Sequence, residues 1–198
     1  MVVVVALATA IGGSITGDDE PSPSAATTST PTPDTAPGGG GDTTATAEVE
    51  QGTPTTLLPG AVMHSELGWT MQIGGQWASG ESAEGVSWNF GDQAQVEVIT
   101  RTAGGTLDDH AASLVDELDT FFADVTNARA EATTLDDDTP AQRITAQADA
   151  GGTPVGIVIY VVEGNGQFMG AAYVAEQSEF DATAEAVEAF LRTLRADA

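Results

Sequence analysis

The chain has 198 residues, carries a net charge of −25 from 30 acids against five arginines, and contains neither lysine nor cysteine, although 41% of it is hydrophobic. Five scattered cations cannot supply the counterion release that binding to a nucleic acid or an anionic membrane requires. The lack of cysteine removes disulfides, thiolate metal sites and a cysteine nucleophile. The length suits one domain of ordinary size with appendages. The acids then belong on its surface, a pattern that points to a salt-loving source, with a high-GC genome as the alternative.

In chain order, "MVVVVALATAIGGSITG" is apolar through Ile11. Such a run is shorter than the roughly 20 residues of a comfortable membrane span. It resembles the apolar region of an export signal, with Ala8-Thr9-Ala10 as a cleavage sequence, although Val2 stands where a basic residue would. Residues 1–17 are therefore expected to be a signal or anchor segment, which would be the chain's only connection to a membrane. Ser14 follows Ile11-Gly12-Gly13 at the place where a lipobox has its cysteine, which excludes lipidation there. Residues 18–62 are rich in Thr, Pro and Gly, and acids such as Asp18, Asp34 and Glu48 have no base among them. With so little apolar surface to offset backbone ordering, the segment is expected to be a disordered, self-repelling tether. Asn89, Asn127 and Asn165 do not begin a glycosylation sequon.

From residue 63 to 198 the pattern predicts one globular domain. Trp69, Met71 and Ile73 alternate with Thr70 and Gln72, and Val86, Trp88 and Phe90 with Ser87 and Asn89; both are strands with one buried face. Gly91-Asp92 turns the chain into "AQVEVITR", which suggests a three-stranded antiparallel meander. Leu107, Ala111, Leu114, Leu118 and Phe122 then repeat at helical spacing, with Thr106 and Asp109 as a capping box. Strands follow at about 128–135, 141–149, 154–163 and 167–176, with Asn165-Gly166 as a hairpin signal. "PVGIVIYVV" and "FMGAAYVA" are apolar at nearly every position and need cover on both faces. The second cover is "SEFDATAEAVEAFLRTLRA", a helix with Phe180, Ala184, Val187 and Leu191 on one face and Arg192 and Arg195 near its C-terminal dipole. The fold class is α+β: an antiparallel sheet of six to seven strands sandwiched between two helices.

That order of elements, carried by "WTMQIGGQW", the helix at Thr106, the turn Gly164-Asn165-Gly166 and "FDATAEAVEAFLRTL", resembles the PsbP/Mog1 superfamily over residues 67–195. Trp77 is kept where that superfamily has a Pro-x-x-Trp-like turn, with Gly74-Gly75 in place of the proline. The resemblance implies a protein-binding accessory role, as in tethered lipoproteins, a photosystem II extrinsic subunit and a nuclear-transport regulator. It supplies no catalytic residues.

Few side chains stand out as chemical candidates. His64 at the edge of the tether and His110 on the polar face of the first helix read as solvated. Asp136, Asp137 and Asp138 form a local acid cluster whose oxygens would suit a divalent cation, against a solvated hairpin tip. No G-x-S-x-G or phosphate-loop sequence is present. Trp69 and Trp88 read as core, whereas Trp77 in "GGQWASGESAEG" and Tyr173 are the candidates for ligand or partner contact. The expectation is an exported, tethered, non-enzymatic domain without a cofactor, binding an envelope protein or a small ligand at the cell surface. The alternative is a hydrolase or divalent-cation enzyme on the same scaffold.

Overall fold

The computed structural model describes residues 57–66, 68–81, 85–90 and 94–196. The expected signal segment, nearly all of the tether and the Gly91-Asp92 turn lie outside these residues. Among the described residues no helix is long and apolar enough to cross a membrane.

The elements are β1 (Ala61–Glu66), β2 (Trp69–Gly74), β3 (Ala78–Glu81), β4 (Gly85–Phe90), β5 (Ala94–Thr102), α1 (Leu107–Phe121), β6 (Ala123–Thr134), β7 (Pro140–Asp149), β8 (Pro154–Gly164), β9 (Gln167–Glu176), α2 (Gln177–Leu191) and β10 (Arg195–Ala196). A seven-stranded antiparallel sheet runs in the order β3-β4-β5-β9-β8-β7-β6. The two most apolar strands, β8 and β9, lie inside it, flanked by β7 and β5.

Period-two alternation divides these strands between two cores. Ile157, Ile159 and Val161 of β8 face α1 together with Phe168, Ala172 and Val174 of β9. Val158, Tyr160 and Val162 face the other way with Met169, Ala171 and Tyr173, against Val187 and Leu191 of α2. The two helices thus cover opposite faces. The β8–β9 hairpin turns at Asn165 and Gly166, both with positive φ (53° and 70°), as a tight two-residue hairpin turn requires. At the far edge, β6 carries register shifts around Asp124 and Asn127, both left-handed. Such bulges discourage further pairing at an exposed edge.

The Trp69 strand departs from the sequence expectation. It does not join a meander with β4 and β5; it forms a separate three-stranded sheet, β1-β2-β10. Alternation identifies a buried face but not the sheet to which it belongs. Trp69, Met71 and Ile73 enter the core on the α2 side. Backbone N–H groups fasten this sheet at both ends of the domain: Gln72 donates to Thr193 Oγ1 (2.8 Å), and Leu58 donates to Gln72 Oε1 (2.7 Å). The short β1 and β10 lack an alternating pattern of their own, and β1 starts at Ala61, just ahead of the expected domain boundary.

Candidate functional site

The turn between β2 and β3 is closed by the Trp77 N–H donating to the Gly74 carbonyl (2.9 Å). It lays the indole so close over Gly74 that a Cβ at Gly74 would collide with the ring. Gly74 therefore stands where the backbone must approach an aromatic ring, which only glycine permits. The indole meets Tyr173 of β9 edge-on, with centroids 6.3 Å apart, and Tyr173 stacks on Phe180 of α2 at 5.6 Å. Phe180 in turn lies over Gly156 of β8, another position without room for a methyl.

Tyr173 is fully buried. Its phenol is hydrogen-bonded to Thr183 Oγ1 (2.6 Å), whose own proton goes to the Glu179 carbonyl (2.6 Å), so the tyrosine is the donor of the pair. Burial raises the Tyr173 pKa, and the negative charge of Glu179 adds to the rise. A cavity of about 120 Å³ opens beside these rings, lined by Trp77, Tyr173, Glu179, Thr183, Val187 and Phe190 among others. The two contact candidates, 96 positions apart in sequence (77 and 173), thus share one pocket against α2.

The helix forming the far wall is held in place by a partly buried clamp. Arg143 of β7 makes two hydrogen bonds to the Glu188 carboxylate (2.8 and 2.7 Å), and the Tyr160 hydroxyl donates a third (2.8 Å). Burial would raise the Glu188 pKa, but the bonds from Arg143 and Tyr160 outweigh it and the net shift is downward. Burial and the Glu188 bond push Tyr160 up to about 12. The sequence did carry a signal for Glu188: it lies four residues after Ala184 on the apolar stripe, where a charged residue needs a partner. Thr183 is a polar member of the same stripe.

The other candidates lie elsewhere. Asp136 and Asp137 form ion pairs with Arg192 (2.9 Å) and Arg195 (2.6 Å), and Asp138 is a left-handed turn residue. Among the described residues no group of three or more acids or histidines could hold a metal ion. The arginines lie at the C-terminal end of α2 as expected: Arg192 is its C-cap and Arg195 donates to the Arg192 carbonyl (3.1 Å). They also tie the β6–β7 turn to the end of that helix.

Both histidines are less solvated than their sequence neighbours suggested. His64 packs against Trp88 (4.8 Å) and Trp69 (5.5 Å) with Glu66 3.2 Å from Nε2. His110 stacks on Phe168 at 4.4 Å, where burial, with Arg101 nearby, lowers its pKa. Among the described residues neither imidazole is hydrogen-bonded to a hydroxyl. Trp69 and Trp88, each 3% exposed, are core residues as expected.

No protein-family model and no curated protein matches the chain. Among solved structures it is similar to cyanobacterial PsbP (CyanoP) from Synechocystis sp. PCC 6803, with a TM-score of 0.56 and 11% identity over 74% of this chain and 98% of that one. The Ran-binding protein Mog1p of Saccharomyces cerevisiae aligns with a TM-score of 0.46 and 10% identity over 65% of this chain and 90% of that one. At these identities the likeness is one of fold. The seven-stranded sheet between two helices, closed by a terminal helix that packs on its own face, is the PsbP/Mog1-like fold.

Proposed function

We propose that this chain is an accessory binding protein without catalytic activity of its own, exported and held outside the cytoplasm by its N-terminal segment, and that it engages a protein or small ligand through the pocket beside α2. The observation that carries this reading is the meeting of Trp77 and Tyr173 at one cavity. A concave, mostly apolar pocket with a few placed polar groups is the ordinary form of a binding site. The apolar run at the N-terminus and the acid- and proline-rich stretch after it support export and tethering.

The test places a photoreactive amino acid at Ala186, exposed on α2 beside the pocket, or at Ala112, exposed on α1, in the full chain in cells that produce it. The expected result is a specific adduct from Ala186, lost with Trp77→Ala, and none from Ala112. Equal labelling from the two positions, or an Ala186 adduct indifferent to Trp77, would remove the pocket from the reading. Retention of the chain in the cytoplasmic fraction would remove export.

A further inference from the structure

We infer that this pocket takes the head of an organic cation, of the size of a guanidinium or a quaternary ammonium; the inference rests on the binding role proposed for the pocket and names the chemistry of its ligand. Three of its lining residues are aromatic: Trp77 and Phe190, which are partly exposed, and Tyr173, which is buried. Aromatic faces are negative, and a cation held against them and partly desolvated is attracted to the ring quadrupole. Glu179 lines the same cavity and supplies a full negative charge.

Among the described residues that charge has no cation of its own. All five arginines are engaged elsewhere: Arg101 with Glu117, Arg129 with Glu131, Arg143 with Glu188, Arg192 with Asp136 and Arg195 with Asp137. The chain has no lysine, and none of the residues lining the cavity is basic. The influence of Glu179 on the Tyr173 phenol places its charge within electrostatic reach of the ring.

Size and polarity narrow the class further. A cavity of about 120 Å³ has room for several waters and hence for one side-chain or small-molecule head. One carboxylate, with Gln76 and Thr183 as the other polar lining side chains apart from the Tyr173 phenol, does not offer the six or more oxygens that calcium prefers, nor the near-octahedral oxygen shell of magnesium. A protein of net charge −25 concentrates cations around itself and repels anions. The head could belong to a free molecule or to an arginine or lysine on a basic partner, and the two sources share this chemistry.

Calorimetric titration of the full chain in 0.5 M NaCl, where diffuse attraction is screened, compares choline with 3,3-dimethylbutan-1-ol, its neutral carbon isostere. It also compares an arginine-containing peptide with the same peptide bearing citrulline. The cation of each pair is expected to bind roughly tenfold more tightly than its neutral twin. Trp77→Ala and Glu179→Gln should each remove most of that preference, while Glu185→Gln, an exposed acid on the same helix, should leave it intact. Stronger binding of the peptide than of choline would assign the head to a partner protein, and the reverse to a free molecule; either supports the inference.

Neutral isosteres that bind as well as the cations would overturn it and leave a merely apolar binding pocket. So would a Glu185→Gln effect equal to that of Glu179→Gln, which would mark attraction by overall charge. If no cation binds while Ala186 still cross-links, the cation chemistry fails and the binding role stands. If both fail, the pocket is not a site.

Discussion

The two faces of the central sheet are each covered by one 15-residue helix, yet the helices are secured differently. α1 is capped locally. Thr106 caps it and Asp109 closes the reciprocal bond, while Ala111, Leu114 and Leu118 enter a core of aliphatic and small residues. α2 has no side-chain cap and is fixed from a distance, by Arg143 and Tyr160 gripping Glu188 and by Phe180 stacked on Tyr173. Strand side chains reach α1 as well: Arg101 of β5 bonds to Glu117 (3.3 Å) and Gln142 of β7 to Asp108 (2.7 Å). The difference is that α1 adds a reciprocal cap, whereas α2 adds a bidentate arginine clamp and an aromatic stack, and the pocket lies beside α2.

The largest expected effect removes the common support of both faces. Ile159, 3% exposed on the α1 side of β8, lies between β9 and β7 in the sheet. An unpaired carboxylate there costs about 3–5 kcal/mol, a large part of the roughly 5–15 kcal/mol that holds a domain together. Ile159→Asp should leave no cooperative thermal transition by circular dichroism; a cooperatively melting variant would show that this strand does not hold the core.

Glu188→Gln separates the faces. It weakens the α2 clamp by about 1–3 kcal/mol, the groups being only partly buried, and should loosen the pocket while α1 stays in place. Because the native Glu188 pKa lies below its ordinary value of 4.5, the clamp's contribution is fully present above that value and is lost as pH falls through the lowered native pKa. The stability gap between wild type and variant, measured by urea unfolding, should therefore be widest near neutrality and narrow as pH falls below 4.5. A gap independent of pH would mean that the carboxylate charge does not hold the helix. The smallest effect is on α1: Thr106→Ala should cost about 1 kcal/mol, seen as a lowered urea midpoint, with ligand binding unchanged. A binding defect from this substitution would blur the division between the faces.

Most of the main sheet and both helices were legible because the helical period is clear in α1 and α2 and the central strands read as alternating or continuously apolar runs bounded by turn residues. What escaped was short or depended on distant partners. "ASGE" of β3 has no apolar face to reveal it, and β1 and β10 become strands only by pairing with β2. His64 looks polar in its local sequence and is half-buried against Trp69 and Trp88, which come from two other strands. At the pocket, Trp77 and Tyr173 could be singled out as aromatic residues in a chain with few of them, but no spacing rule brings positions 77 and 173 together. Glu179 and Thr183 gain their roles only once α2 lies on β9. The pairing of Asp136 and Asp137 with arginines more than 50 residues away was likewise invisible in a run of three acids.

The most direct measurement of the central claim, that the α2 face carries the binding site, is a nuclear magnetic resonance map of the full chain. Three indole N–H signals and the backbone amides would be followed against a panel of small cationic, neutral apolar and anionic molecules. Shifts are expected to converge on the Trp77 indole and on amides from Glu179 to Phe190, while the Trp69 and Trp88 indoles and the amides of α1 stay still. Shifts that gather on α1 or on the His64 cluster, or that spread evenly over all three indoles, would contradict that claim.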